Sequence, residues 1–267
     1  SLALGIVMSL LFLSMFGSVG FVSADDVTVT FSGITNPSST HKAYYWHYAS
    51  TTAWGTNTNE ATTSNYTNVT VLDDGSTWRY SDGTNSHAVY HGFEFNVSYV
   101  GRTNGFSTSD VSRIEFYWDG WGQNGAATKY VYLGCYNASG TAWVTANATG
   151  ITGTWTHTGS SDSSLKANAT APDDFITDGG LFKANVHTQS STTGAVIYSD
   201  NAYIKIYYTP SLTAPSLVSP TSGGTGYSIT PNFDWNVSTG GTSPYTYEIM
   251  VADNLLFTTP DVNVTSI

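Results

Sequence analysis

From residue 25 onward, apolar and polar side chains alternate in one segment after another, and a period of two restricts the chain to β-structure. Val27, Val29 and Phe31 share one face of the first such run. Phe93, Phe95, Val97 and Tyr99 do so in another, with Glu94, Asn96 and Ser98 between them. Ile114, Phe116 and Trp118 alternate with Glu115, Tyr117 and Asp119. Val131, Leu133 and Cys135 alternate with tyrosines, and Phe182, Ala184 and Val186 with Lys183, Asn185 and His187. Ile204, Ile206 and Tyr208 alternate with Tyr203, Lys205 and Tyr207. One face of each run is suited to a core and the other to solvent, which is the pattern of antiparallel sheets. Turn-forming stretches such as Asp73-Asp74-Gly75 and Asn137-Ala138-Ser139-Gly140 separate the runs. No amphipathic helix is expected after residue 24. Many short strands over residues 25–209 point to a two-sheet sandwich.

The alternation is interrupted twice. Residues 1–24 are uncharged and dominated by Leu, Val, Met, Phe and Ile, and they end in Val22-Ser23-Ala24 before Asp25-Asp26. An apolar stretch followed by small residues reads as a signal peptide without its basic n-region. A retained membrane anchor and a pilin-like assembly helix are the alternatives. All three place the rest of the chain outside the cell. Residues 210–220, PSLTAPSLVSP, form a Pro/Ser/Thr linker. Alternation then resumes at Phe233, Trp235 and Val237, and at Tyr245, Tyr247, Ile249 and Val251. Residues 221–267 are too few for the roughly seven strands of a closed immunoglobulin-like sandwich. The chain is therefore expected to be part of a longer surface protein.

Charge and cysteine content narrow the class. Eight Lys and Arg against nineteen Asp and Glu leave no electrostatic footprint for nucleic acid. A single cysteine, Cys135, excludes an internal disulfide, so stability must come from core size. An exported chain of this kind suits a bacterium or an archaeon. Eight Asn-X-Ser/Thr sequons, at Asn65, Asn68, Asn96, Asn137, Asn147, Asn168, Asn236 and Asn263, are candidate glycosylation sites. Asn96 is expected on a polar strand face, Asn137 in a hairpin turn, and Asn147 and Asn168 in polar loops.

Two resemblances follow from particular residues. Ser219-Pro220, the run Pro231 to Trp235, and Tyr247 to Asp253 followed by Phe257 resemble the first half of fibronectin type III or immunoglobulin-like modules of prokaryotic surface proteins. That resemblance implies an incomplete spacer domain with a role in adhesion. Residues 61–209 resemble the jelly-roll modules of large secreted archaeal and bacterial proteins. The likeness is carried by Tyr66 to Asp74, His91 to Val97, Ile114 to Gly120, the hairpin Tyr132 to Trp143, and Tyr198 to Asp200 with Tyr203 to Ile206. It implies an all-β fold: a jelly-roll sandwich over 25–209, then a partial fibronectin-like sandwich.

Candidate chemistry is sparse. Sugar binding needs aromatic surface beside hydrogen-bonding groups. Trp54, Trp78, Trp121, Tyr203 and Tyr207 are the residues that offer it. Asp73, Asp74, Asp119, Asp173 and Asp174, with Asp178 nearby, offer oxygen ligands for structural calcium. Glu94 and Glu115 are the carboxylates that a glycosidase would need on one face. His87 and His91 lie four apart, with His41 and His47 elsewhere; they do not form a zinc pattern. Cys135 alternates with apolar residues and reads as a buried, inert thiol. No Gly-X-Ser-X-Gly elbow is present.

The expectation is a non-catalytic protein of the cell surface or envelope, adhesive or structural, whose partners are surface glycans or proteins. A carbohydrate-binding module, possibly attached to a glycan-active enzyme, is the alternative. A glycoside hydrolase and a pilin-like filament subunit come after it.

Overall fold

The computed structural model describes residues 25–48, 59–72, 75–84, 87–123, 130–158, 163–189, 194–209, 215–219, 232–236, 238, 248–251 and 262–265. Ala24–Thr209 form one compact unit, and Pro210–Ile267 belong to a second.

The first unit contains β1 (Asp25–Val29), β2 (Lys42–Tyr48), β3 (Asn59–Glu60), α1 (Thr63–Thr67), β4 (Trp78–Asp82), β5 (Ala88–Asn96) and α2 (Val97–Asn104). It continues through β6 (Val111–Gln123), β7 (Tyr130–Asn137), β8 (Ala142–Val144), β9 (Ile151–Thr154) and β10 (Thr156–Thr158). It ends with β11 (Ser163–Ala169), β12 (Leu181–Gln189) and β13 (Ala195–Tyr208).

These strands form two sheets, antiparallel throughout. One has the order β1-β13-β6-β11-β9 with β4 also on β13. The other has the order β10-β7-β12-β5-β2-β3 with β8 also on β7. Within the first lies the sequence β4-β13-β6-β11 and within the second β5-β12-β7-β10. Consecutive members of this set of eight alternate between the sheets except at the middle, where β7 and β10 pair within the second sheet, and the outermost in sequence, β4 and β13, pair with each other. This is the jelly-roll winding of two Greek keys. The all-β sandwich that the alternation predicts is therefore the fold.

The alternation also identifies the core faces. Ile114, Phe116 and Trp118 of β6, Ile204 and Ile206 of β13, Phe93 and Phe95 of β5, and Phe182, Ala184 and Val186 of β12 are all fully buried between the sheets. Each large apolar side chain removed from water contributes about 1.5–3 kcal/mol. Cys135 belongs to the same core, and burial raises its thiol far above the ordinary range.

Two short helices depart from the all-strand expectation. The alternation Phe93 to Tyr99 does not continue as strand, because Asn96 stops it. Its Oδ1 accepts the Tyr99 amide at 2.8 Å, capping α2, and Gly105 closes the helix with φ at 77°. Val97 and Val100 turn inward, one helical turn apart. Two buried valines are too few to register as helical periodicity. Trp121 lies within β6, since the strand runs on to Gln123. Gly120 allows this: its φ is 151°, and a Cβ there would collide with the Tyr198 carbonyl and the Trp118 ring. It sits beside the bulge between Ser199 and Asn201 of β13, which shifts the alternation of β13 by one residue and sets Tyr198 opposite Trp121 on the outward face. Asn168 lies in β11 and not in a loop.

The second unit contains β14 (Leu217–Ser219) paired with β15 (Asp234–Trp235), and β16 (Glu248–Val251) paired with β17 (Val262–Thr265), both antiparallel. The Asn236 amide donates to the Ser216 carbonyl at 2.9 Å, and its Nδ2 donates to Ser216 Oγ at the same distance.

Candidate functional site

On the outward face of the first sheet, β6 and β13 pair residue against residue. Arg113 faces Tyr207, Glu115 faces Lys205, Tyr117 faces Tyr203, Asp119 faces Asn201 and Trp121 faces Tyr198. The adjoining strand adds Asn168 beside Glu115, Lys166 beside Tyr117 and Ser164 beside Asp119. Aromatic rungs and charged rungs therefore alternate. With a rise of about 3.3 Å per residue, successive aromatic rungs along β6 are roughly 13 Å apart.

The rings are held firmly. Tyr117 and Tyr203 stack with centroids 4.7 Å apart and planes 7° apart, and Trp121 and Tyr198 at 4.6 Å and 12°. The Arg113 guanidinium lies 3.8 Å over the Tyr207 ring and Lys166 Nζ lies 4.7 Å over Tyr117. Arg79 Nε donates to Tyr198 Oη at 3.2 Å. Stacking covers one ring face of each stacked tyrosine, and the Tyr117 and Tyr207 hydroxyls turn onto Glu115. Trp121 has no aromatic or cationic partner on its second ring face among the described residues.

Glu115 organises the middle of the face. It accepts from Tyr117 Oη at 2.5 Å and Tyr207 Oη at 3.1 Å, and it pairs with Lys166 at 3.1 Å and Arg113 at 3.8 Å. Burial alone would raise its carboxyl. The donors and the Lys166 charge outweigh that and hold it below the ordinary range. The Tyr117 hydroxyl is raised, by burial first and by Glu115 next.

Of the five aromatic residues singled out in the sequence, three come together here: Trp121, Tyr203 and Tyr207. Tyr117, Tyr198, Arg79, Arg113 and Lys166 complete the face. Trp78 does not belong to it. It is 2% exposed in the core, with His91 stacked on its ring at 3.6 Å, so no face remains for a ligand. Trp54 lies outside the described residues.

The second sheet carries its own outward row, Trp46-Tyr90-His187-Tyr132, on directly paired positions of β2, β5, β12 and β7. Neighbouring rings stack at 4.8, 4.8 and 5.2 Å. Trp46, Tyr90 and His187 are nonetheless buried, which leaves the first sheet with the more accessible aromatic surface.

The carboxylate pair is not a pair. Glu94 lies on β5, paired with Lys183 at 3.1 Å, and Glu115 lies on β6. Each points outward from a different sheet, so the two carboxylates stand on opposite sides of the sandwich and cannot flank one glycosidic bond.

The acidic candidates for calcium also separate. Asp119 accepts from Ser164 Oγ on the outward face. Asp173 and Asp174 lie in a 3-10 turn, Pro172–Asp174, where Asp174 accepts from Ser139. Asp73 and Asp74 lie outside the described residues. One group of three potential metal ligands exists among the described residues, His47, Asp82 and His87, and it contains none of these aspartates.

The sequons are placed as follows. Asn65 and Asn68 are half-buried in and just after α1, and Asn68 Nδ2 donates to the Thr77 carbonyl. Asn96 caps α2. Asn137 Oδ1 accepts from Ser139 and Gly140, and Asn147 Oδ1 from Gly153 and Trp155 Nε1. Asn168 is half-buried in β11 beside Glu115, and Asn236 is exposed. The Asn263 side chain lies outside what is described.

No family model and no curated protein matches the chain. A solved structure similar to it is the CBM22-1 xylan-binding domain of Xyn10C from Paenibacillus barcinonensis. It has 8% sequence identity and a TM-score of 0.31, over 71% of this chain and 99% of that one.

Proposed function

We propose that this chain is a non-catalytic binding module of an exported, modular surface protein, and that the outward face of β6 and β13 docks an extended glycan. The observation that carries the proposal is the register itself, which sets Trp121-Tyr198, Tyr117-Tyr203 and Tyr207 as three aromatic rungs with charged rungs between them. Ring edges supply apolar contact, while tyrosine hydroxyls, Arg113, Lys166 and Asp119 supply hydrogen bonds. Rungs roughly 13 Å apart favour an oligomeric ligand over a single sugar. The separation of Glu94 from Glu115 supports a binding role without hydrolysis. Export rests on the leader ending at Val22-Ser23-Ala24. The fibronectin-like pattern after Pro215 supports a spacer at the C-terminal side of the module.

The test is a glycan array probed with the full chain, with Trp121→Ala and Tyr203→Ala as controls. Binding to an oligosaccharide class that both substitutions weaken tenfold or more is expected. Absence of binding to any glycan would sink the ligand assignment. It would favour instead a purely structural envelope role, to which the capping of Tyr117 and Tyr207 by Lys166 and Arg113 also lends support.

A further inference from the structure

A column of inward-facing side chains leads from the core to one end of the sandwich. It starts at Trp78, continues through Tyr45 and Tyr80, whose rings lie 4.8 Å apart, and ends at His47, Asp82 and His87. His47 comes from β2 in one sheet. Asp82 is the last residue of β4 in the other sheet. His87 precedes β5 on the crossing between them. Their ligand atoms all lie within 4.8 Å of one another.

The geometry points to a site for one divalent transition ion, with zinc as the reference case, that ties the two sheets together through His47, Asp82 and His87. The donor set is two imidazole nitrogens and one carboxylate oxygen, which suits zinc, nickel or copper and does not suit calcium. His87 Nδ1 is 2.6 Å and His47 Nδ1 is 4.0 Å from the same oxygen, Asp82 Oδ2. Bonds of about 2.0–2.1 Å in a tetrahedral site put donor atoms about 3.3 Å apart, so shifts of under about 1 Å reach it. The other carboxylate oxygen, Asp82 Oδ1, is fixed by the Thr84 amide at 3.0 Å, which leaves Oδ2 for the ion. Tyr80 Oη lies 2.8 Å from His47 Nδ1, a contact that the ion displaces when it takes that nitrogen. The two imidazoles stack 12° from parallel at 5.5 Å. The His47 side chain is 52% exposed, which gives the ion an entry path, while that of Asp82 is only 12% exposed. Three protein ligands leave a fourth position for water or a further group. An ion bound by both sheets in the folded state only is a staple, in a chain whose lone Cys135 gives it no internal disulfide.

The experiment uses the full chain carrying no polyhistidine tag, stripped with a chelator and titrated with cobalt(II) and zinc(II). One equivalent of cobalt is expected to bind with the visible spectrum of a low-symmetry site, and zinc to compete it off. A hundredfold excess of zinc over its Kd should raise the Tm by about 5–10 °C. His47→Gln and His87→Gln should each weaken binding by more than the roughly 10–100-fold lost when only a hydrogen-bond partner of a ligand is removed. Their metal-free melts should stay near that of the metal-free parent, which guards against misfolding as the cause. His157→Gln, on β10 outside the cluster, should bind as the parent does. Failure of the parent to bind either ion, or equal binding by the parent and both cluster variants, overturns the site.

Discussion

Tyr117 of β6 and Tyr203 of β13 occupy directly paired positions and stack within 7° of parallel. Their contact ties the two longest strands of the first sheet together on the side away from the core. Such aromatic pairs add about 0.5–1.5 kcal/mol beyond the area they bury. A double-mutant cycle of Tyr117→Ala and Tyr203→Ala in urea unfolding should return a coupling in that range. A coupling of zero would mean that the rings are independent and that the face is not pre-organised.

Ser199 joins two buried groups. Trp118 Nε1 donates to its Oγ at 2.7 Å, and His91 Nδ1 lies 2.7 Å from the same oxygen. His91 Nε2 already has no hydrogen-bond partner among the described residues. Ser199→Ala would strand both the indole N–H and the second imidazole nitrogen. The expected cost is about 1–3 kcal/mol for each group left unsatisfied, measured by urea unfolding. A loss below about 0.5 kcal/mol would show that the hydroxyl is not the partner that keeps this polar pocket in the core.

Acid sensitivity follows from the histidines. Burial lowers His41 and His187 to about 4, and it also holds His91 well below the ordinary range. His41 Nδ1 accepts the Asn96 amide at 3.0 Å, which requires that nitrogen to be unprotonated. The unfolded chain takes up protons below about pH 6.5 where the folded chain does not, so stability falls as pH drops below that value. For His41 and His187 the loss continues down to about pH 4. Each histidine contributes roughly 1.4 kcal/mol per pH unit within its window. Urea unfolding at about pH 7.5 and about pH 5.5 should differ by roughly 4 kcal/mol. Glu115 and Asp82, both held low, act in the same direction at lower pH. Unchanged stability between those two pH values would contradict the buried neutral assignment.

Asn96 has two uses, as the cap of α2 and as the start of a sequon, and the two can be separated. Asn96→Ala should cost about 0.5–2 kcal/mol, while Asn96→Asp keeps a capping oxygen and should cost much less. Both abolish the sequon. Equal destabilisation by the two, measured on unglycosylated protein, would show that the cap contributes nothing.

The faces of single strands were legible in the sequence, and their partners were not. Alternation placed Tyr203 and Tyr207 outward and Ile204 and Ile206 inward, and the structure agrees. It could not say that Tyr117, in a strand far away along the chain, would stand opposite Tyr203, because period two fixes a face and leaves the register open. Trp78 was misplaced for the same reason: its strand has two possible sides, and only the pairing of β4 with β13 decides which side is core. His47, Asp82 and His87 lie on separate elements and carry no local spacing signal, so only the folded crossing from β4 to β5 brings them together. The helix α2 is not legible in the sequence because a strand-like alternation runs into it without a break.

Cys135 gives the chain a built-in clock. Fully enclosed and with its thiol held protonated, it can meet an alkylating reagent only when the sandwich parts. One labelling event per molecule, timed by mass spectrometry, then counts openings of the core strand β7, with no engineered probe and no competing cysteine to confuse the signal.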